Sequence, residues 1–418
     1  MEILLADKFK GIEFTGFEHV RWNKIFVRLQ YELECGIYPN AYSCYLKSLL
    51  YKESVYVLNK GLGNRIFCIQ DSPDRKSCQS QFTAVCNLIS CDSLQSFSPL
   101  RVRRNSLTDI LRLYFHYIPS WKKTLSNILL SAEEKRQVLG CLVRLWHFKK
   151  HISSIDICSY KLLVSYYDSV ITESYVVEVF RNKGVKTVTL QHGQFNSYRE
   201  NVLTNCGVEF ASFKSDYMLC WNKFTIDEAI KSGVDKNRLL LAGILGFVGK
   251  TYEVAQKPHN GMFGVVLGHP DFEEENIQLV ESAKKLSDVT GMDFYLKLHP
   301  NYEERYFDRY LDTDRYKGII EKGISMVLYA SKVDFSLVGS SSVFAELVYI
   351  GHDVMRLSTG GVKDKFRDIK YGKVFCDPSS VVQVYNDCKD SDNEKLFDYL
   401  CSVKDVTCRY KEILSTLS

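Results

Sequence analysis

Three short motifs place polar side chains directly after apolar, strand-like runs. In the first motif, residues 188–190 lead into Gln191, His192 and Gly193. An imidazole titrates near neutral pH and can remove a proton from a hydroxyl group, so His192 is a candidate general base. Gly193 allows the backbone to turn sharply or to approach a ligand. The alternative is a turn histidine that forms hydrogen bonds within its own loop.

The second motif ends the strand-like run 295–298 with His299 and Pro300. Proline terminates a strand, which leaves His299 at the strand tip, where it could neutralise charge on a departing phosphate. Lys297 lies two residues earlier and would share the same face. His269 precedes another proline after a similar run and is a second candidate for a donor contact. The alternative for His299 is a histidine that caps its strand.

The third motif is a Gly-Ser turn between a strand pattern and a helix pattern, and its serines are Ser340, Ser341 and Ser342. Backbone N–H groups, hydroxyls and the start of a helix all favour phosphate. Glu346 lies about one turn inside the helix and could accept hydrogen bonds from ribose hydroxyls. The alternatives are simple helix capping by serine and a solvent-facing Glu346.

We expect the acceptor to be bound by residues that follow the first-half strands: Gln191, Gly193, Trp221 and Asn222. Core packing is the alternative for Trp221. The Asp-x-Asp sequence at residues 312–314 lies in a polar stretch that is typical of a surface turn. We therefore expect a reaction that needs no metal and no cofactor beyond a nucleotide-activated substrate.

The order of the patterned segments predicts an α/β fold. From residue 160 onward, strand patterns alternate with helix patterns, which indicates parallel βαβ units. A glycine-rich segment at 243–261 separates two such alternations. We predict an acceptor-binding Rossmann-like domain at 1–250, a nucleotide-binding Rossmann-like domain at 251–392, and helices at 393–418 that can pack back on the first domain. Ligands of such sheets bind beyond the carboxyl ends of the strands, in the cleft between the domains.

Composition excludes several other classes. The 418 residues are too many for one core, which agrees with two domains. A net charge of +4 is too small to indicate nucleic-acid binding. The 14 cysteines show no zinc-like spacing and lie mostly in apolar runs, which is typical of reduced thiols in the cytoplasm. We find no signal pattern and no apolar run of about 18 residues, and we expect a cytoplasmic protein.

Residues 101–150 form a basic segment with 11 lysines and arginines against three acidic residues. Four apolar residues within it share one helical face: Leu139, Leu142, Val143 and Trp146. Such a basic amphipathic element can lie on an anionic bilayer, which predicts peripheral contact with the plasma membrane. The alternative is a helix whose apolar face packs on the first domain.

Together these motifs resemble those of a group of GT-B transferases that build bacterial surface polysaccharides. The group includes polysialyltransferases, related sialyl- and Kdo-transferases, and the glycerophosphotransferases of teichoic acid synthesis. The resemblance implies a GT-B fold with two Rossmann-like domains and a cleft between them. It implies that His192 lies near the acceptor and that His299 and the three serines bind the donor phosphate.

The resulting hypothesis is a glycosyltransferase that moves sugar from a nucleotide donor to a free or lipid-linked glycan of the capsule, O-antigen or lipooligosaccharide. A CDP-polyol phosphotransferase of the teichoic acid type and a nucleotide-sugar epimerase are alternatives from other reaction classes. A non-catalytic assembly scaffold is a further alternative. The donor sugar, the linkage and the catalytic base remain open at this stage.

Overall fold

The computed structural model describes residues 5–26, 29, 55–59, 65–71, 76–97, 107–191, 193, 211–250, 258–321, 323–361, 364–387 and 393–418. His192, the candidate general base, and the first six residues of the basic segment lie outside the described residues.

The first half is built around a seven-stranded sheet with the order β1-β3-β2-β4-β5-β6-β7. Its edge strand β1 runs antiparallel to β3, and all other neighbours are parallel. Helices cover both faces of a parallel sheet, and this is why the central strands read as continuous apolar runs. The strands are β1 Val55–Asn59, β2 Ile66–Gln70, β3 Asp92–Phe97, β4 Leu162–Ser165, β5 Lys186–Leu190, β6 Tyr217–Cys220 and β7 Leu239–Leu241.

The second half is built around a six-stranded sheet with the order β10-β9-β8-β11-β12-β13. All of its neighbouring strands are parallel, as the alternation of strand and helix patterns predicts. The strands are β8 Met262–Val266, β9 Asp293–Lys297, β10 Tyr316–Ile319, β11 Ser336–Val338, β12 Val354–Leu357 and β13 Lys373–Phe375.

Helices surround both sheets, and a π-helical turn at Leu113–Tyr117 joins two of them. In the described residues, no helix combines the length and the apolar composition needed to cross a bilayer. The helices are α1 Trp22–Ile25, α2 Lys76–Ile89, α3 Leu107–Arg112, α4 Ile118–Ser126, α5 Ala132–Ser153, α6 Ile171–Arg181, α7 Lys223–Lys231, α8 Glu273–Thr290, α9 Met326–Ala330, α10 Val343–Tyr349, α11 Val381–Asn386, α12 Asn393–Leu400 and α13 Val406–Leu417.

The apolar face of the basic segment belongs to α5, and it is buried. Leu139, Leu142, Val143 and Trp146 all lie in the hydrophobic core of the first half. The predicted bilayer contact through this face is therefore wrong, and the alternative of packing on the first domain is correct. The reason is that neighbouring helices already cover the apolar stripe, which leaves the basic residues at its margins.

The C-terminal helices connect the two halves. Asn222 Nδ2 donates to the Leu400 carbonyl at 2.7 Å, and Arg409 Nε donates to the Leu241 carbonyl at 3.0 Å. Gly243 adopts a φ of 96°, and a Cβ there would lie 2.8 Å from Val406 Cγ2, so this close approach requires glycine. One continuous hydrophobic core contains residues from both sheets and from α13.

Candidate functional site

Three adjacent strands of the second sheet end at one level. Strand β8 lies between β9 and β11, and the register aligns Val266 with Lys297 on one side and with Val338 on the other. Because neighbouring strands are about 4.8 Å apart, the tips of β9 and β11 are separated by roughly 10 Å. The turns that carry His269, His299 and the three serines therefore leave the same edge side by side.

His269 and His299 pack against each other at this edge. Their ring centroids are 5.0 Å apart and the ring planes meet at 77°. The backbone N–H of Asn301 donates to His299 Nδ1 at 3.2 Å, and Asn301 Nδ2 lies 2.9 Å from His269 Nε2. A neutral His299 ring that accepts at Nδ1 carries its proton on Nε2. His299 can therefore act as a hydrogen-bond donor through Nε2, and Pro300 beside it is exposed.

Asn276 on α8 fixes the two histidine loops, and sequence reasoning missed it. Its side chain is fully buried, and its Oδ1 accepts from the Gly268 backbone N–H at 2.8 Å. Its Nδ2 donates to the hydroxyl of Tyr302 at 3.0 Å. The amide thus joins the loop after β8 to the loop after β9. A buried asparagine in an otherwise apolar helix face is a sequence signal for such a role.

Ser340 of the Gly-Ser turn has a structural role, whereas Ser341 and Ser342 lie at the cleft. Ser340 is buried, and its backbone N–H and its Oγ both donate to the carboxylate of Glu275, at 2.6 and 2.7 Å. Burial raises the pKa of Glu275, and the two Ser340 hydrogen bonds oppose that rise. The expected phosphate contact of Ser340 is therefore replaced by an internal one, because Glu275 occupies the place of the anion.

Ser341 and Ser342 are only partly buried. Ser342 is the N-cap residue of α10, yet its side chain makes no capping hydrogen bond. Ser341 Oγ accepts one long hydrogen bond, from the Val343 N–H at 3.4 Å. These two hydroxyls are the part of the predicted anion site that the structure leaves at the strand edge.

A cavity of about 700 Å³ lies between the two halves, and Glu346 lines it. Its walls come from α2 of the first half, from the glycine-rich segment, and from α9 and α10 of the second half. Pockets for small ligands and cofactors usually measure about 300–1,000 Å³. The volume of the cavity between the halves therefore lies within the range of small-ligand pockets.

Glu346 and Lys297 influence each other electrostatically near this cavity. Burial raises the pKa of Glu346, and the positive charges of Lys250 and Lys297 oppose the rise. Burial lowers the pKa of Lys297, and the charge of Glu346 opposes that change. Glu346 belongs to the third motif and Lys297 to the second. The structure brings this carboxylate and this ammonium group close enough to interact.

The predicted acceptor-side residues of the first half are structural. Gln191 and Trp221 are buried and hydrogen-bond each other twice: the Trp221 N–H donates to Gln191 Oε1 at 2.7 Å, and Trp221 Nε1 donates to the Gln191 carbonyl at 2.6 Å. Asn222 is buried, caps α7 through Thr225, and binds α12. Their polar atoms are satisfied internally, so the expectation that these three face an acceptor is corrected.

Gly193 remains at the edge of the first sheet and is partly exposed. Its carbonyl accepts a hydrogen bond from Gln191 Nε2 at 2.8 Å. Gln191 therefore holds the Gly193 carbonyl close to the end of β5.

Three cysteines between residues 68 and 91 converge in the first half. Their sulfur atoms all lie within 4.8 Å of one another, and the Sγ atoms of Cys68 and Cys91 are 3.0 Å apart. Cys86 on α2 completes the group. Thiolates bind thiophilic metals, so this trio could hold one. The trio packs in the hydrophobic core and does not line the cavity between the halves.

The fold is the GT-B arrangement of two Rossmann-like halves with a cleft between them, as the sequence predicts. No family model matches the chain, and no curated protein matches it. Several solved structures are similar to the chain. UDP-GlcNAc 2-epimerase from Methanocaldococcus jannaschii, in complex with UDP-GlcNAc and UDP, has a TM-score of 0.52 at 12% identity, over 84% of this chain and 99% of that one.

A complex of S. aureus MnaA with UDP has a TM-score of 0.52 at 12% identity, over 84% of this chain and 97% of that one. The wall teichoic acid polymerase TagF reaches a TM-score of 0.43 at 10% identity, over 94% and 96%. At such identities, the likeness to the epimerases establishes the fold and does not distinguish among activities.

Proposed function

We propose that this protein is a glycosyltransferase that uses a nucleotide-activated donor. The observation that carries the proposal is the alignment of the β8, β9 and β11 tips, together with the interaction of Lys297 at the β9 tip with Glu346, which lines a cavity of nucleotide size. Imidazole, ammonium and hydroxyl groups meet at this edge, and all three can stabilise a phosphate that leaves with negative charge. The similar structures that bind UDP or UDP-GlcNAc support a nucleotide at this position.

Each group at the edge has a defined task in this reaction. Glu346 accepts hydrogen bonds from the ribose, and the hydroxyls of Ser341 and Ser342 donate to the diphosphate. His299 donates from Nε2 to the oxygen of the departing phosphate. Since Lys297 supplies positive charge and His299 donates a hydrogen bond from Nε2, the reaction needs no metal in this proposal. The acceptor hydroxyl loses its proton to a base, for which His192 remains the candidate.

An epimerase is the second candidate, because the similar solved structures include UDP-GlcNAc 2-epimerases. Epimerisation at C2 requires acid and base groups around the sugar ring. Among the described residues that line the cavity, Glu346 is the one carboxylate. This favours transfer over epimerisation. Formation of an epimer from a nucleotide sugar in the absence of any acceptor would reverse that preference.

A thermal-shift screen against CMP, CDP, UDP, GDP and TDP tests the proposal and identifies the donor class. A nucleotide that binds only the folded state raises the melting temperature. Stabilisation by one nucleotide, followed by transfer from the matching nucleotide sugar, would support glycosyl transfer. Consumption of CDP-glycerol instead would identify the teichoic type of phosphotransferase. The absence of any stabilising nucleotide would contradict the proposal and favour an assembly scaffold.

We further propose that the enzyme works on the inner face of the plasma membrane, on a lipid-linked acceptor of a surface polysaccharide. The buried face of α5 cannot make this contact. A different patch remains exposed, because Leu111, Tyr114 and Phe115 are 45%, 54% and 73% accessible, beside basic Arg112. Sedimentation with anionic and neutral vesicles tests this: Leu111→Ser/Phe115→Ser should release the protein, and equal sedimentation of the variant would refute it.

A further inference from the structure

A second cavity of about 550 Å³ lies at the opposite edge of the first sheet. Lys186 and Tyr217, which line it, are the first residues of β5 and β6, and Arg238 directly precedes β7. Gln191, by contrast, follows the last residue of β5. Since a strand of five residues spans roughly 16 Å, this cavity is separated from the cleft edge by the length of the sheet.

Positive charge dominates the walls of this cavity. Asp216 is the single carboxylate among its described lining residues. Six lining residues are cationic: Arg21, Lys24, Arg181, Lys186, Lys214 and Arg238. We call this set, with Asp216, the basic pocket. Two of the six cations are balanced, because Arg21 binds Glu178 at 2.6 Å and Arg181 binds Asp216 at 3.2 Å. The remaining cations give the concave surface an excess of positive charge.

Several of these cations are held in place by the backbone. Arg238 Nη2 donates to the carbonyls of Ser215 and Phe213, at 2.7 and 3.2 Å, and its guanidinium stacks 4.2 Å from the Phe213 ring centroid. Arg181 Nη1 likewise donates to the carbonyl of Lys214 at 2.9 Å. Groups held in this way lose little freedom when a ligand binds.

Two further lysines face solvent at the rim of the pocket. Lys24 and Lys186 are both exposed, and within the described part of the chain neither forms an ion pair. Their charges repel the other cations across a concave surface, where water screens them less completely than on a convex one. An anion in the pocket would remove that repulsion. Burial and the charge of Arg181 lower the pKa of Arg238, and the charges of Asp168, Asp216 and Asp235 oppose that change.

We propose that the basic pocket is a binding site for a phosphate-bearing ligand, separate from the cleft between the halves. Phosphate is the anion that guanidinium and ammonium groups bind together, with arginine supplying paired donors and lysine supplying charge. The volume accommodates a diphosphate or a phosphorylated sugar. The phosphate could belong to a soluble molecule or to a lipid headgroup, because the recognised group is the same.

Titration calorimetry with inorganic pyrophosphate, at constant ionic strength, tests the pocket. We expect Lys24→Ala/Lys186→Ala to raise the Kd about tenfold, since two exposed charges near the anion are lost. The matched control is Lys183→Ala/Lys236→Ala, which removes two exposed lysines from the same half outside the pocket and should leave the Kd unchanged. Absence of binding to the wild type, or equal loss in both variants, would overturn the proposal.

A third variant separates this pocket from the cleft. His299→Ala should bind pyrophosphate at the basic pocket as the wild type does. If His299→Ala abolishes binding and the Lys24/Lys186 variant retains it, pyrophosphate binds at the cleft and the proposal fails. Failure of the proposed glycosyl transfer would leave the result for the basic pocket unaffected, because this titration contains no donor and no acceptor.

Vesicle sedimentation identifies the source of the phosphate. Phosphatidylglycerol vesicles are compared with phosphatidylcholine vesicles for the wild type and both lysine variants. Weaker sedimentation with phosphatidylglycerol in Lys24→Ala/Lys186→Ala alone supports a headgroup in the pocket. Equal sedimentation of the two variants, together with the loss of pyrophosphate affinity in the first, supports a soluble phosphate compound.

Discussion

The two cleft-facing edges of the molecule use similar motifs in opposite ways. In the first half, Gln191, Trp221 and Asn222 follow strands, but their polar atoms bind one another, α7 and α12. In the second half, His299 and Ser341 also follow strands and remain at the surface of the edge. A polar residue after a strand is therefore a candidate for a site only where the protein does not already satisfy its hydrogen bonds.

The largest expected effect is on turnover, and it comes from His299. If its Nε2 proton stabilises the leaving phosphate, His299→Ala should lower kcat by about 100- to 1,000-fold, the usual result of removing one such donor. The melting temperature should change little, because His299 is partly exposed. His259→Ala, an exposed histidine of the same half, is the control. Retained turnover in His299→Ala would remove this residue from the mechanism.

Gly243→Ala should give the largest loss of stability among these variants. The residue has a φ of 96°, and the added Cβ would lie within 2.8 Å of Val406 on α13. We expect the free energy of unfolding to fall by about 2 kcal/mol or more, since both backbone strain and overpacking act together. Urea denaturation measures it, and Gly184→Ala controls for positive φ without crowding. Equal losses in the two variants would show that contact with α13 contributes nothing.

Two neighbouring serines of the second half test the difference between a polar residue that is satisfied internally and one that remains at the edge. Ser340→Ala leaves the buried Glu275 carboxylate without one donor and should cost about 1–2 kcal/mol of stability, with nucleotide affinity retained. Ser341→Ala should do the reverse, with near-normal stability and weaker nucleotide binding. Denaturation and calorimetry on both variants distinguish these roles. If both variants change stability and nucleotide affinity in the same way, Ser340 and Ser341 do not have separate roles.

A smaller effect is the pH dependence that Glu173 confers on the first half. Burial raises its pKa from 4.5 to about 8, although Ser165 and the Asp71 N–H donate to the carboxylate. Between these pH values the folded state retains a proton that the unfolded state has lost, so stability falls as pH rises through this window. Glu173→Gln should flatten this dependence in urea denaturation between about pH 5 and about pH 8. Identical pH profiles would contradict the assignment.

Local patterns were enough to predict most of the fold. The strand-like runs at 188–190 and 295–298 overlap β5 and β9, because buried parallel strands are largely apolar. Strands β3, β10 and β13 were not predicted; β3 is mostly polar, and β10 contains Lys317 and Gly318. The interior position of the α5 face was open at the sequence level, because a basic amphipathic helix can face either a core or a bilayer.

The sequence could predict which site residues lie together only where these residues follow neighbouring strands of one sheet. Alternating strands and helices bring the tips of β8, β9 and β11 to one edge, so His269, His299 and the serines could be grouped from sequence. The partner of Ser340 could not be found in this way, because Glu275 is 65 residues away in the chain. The convergence of the three cysteines depends on how a strand, a helix and a loop pack against one another, which their spacing in the sequence does not show.

The central claim is that the edge of the second sheet, with Glu346 in the adjoining cavity, binds the nucleotide. The most direct test is titration calorimetry of the stabilising nucleoside diphosphate with wild type, Glu346→Ala and the control Glu281→Ala, an exposed glutamate on α8. Loss of hydrogen bonds to the ribose should raise the Kd about tenfold or more in Glu346→Ala and leave it unchanged in Glu281→Ala. An unchanged Kd in Glu346→Ala would contradict the account.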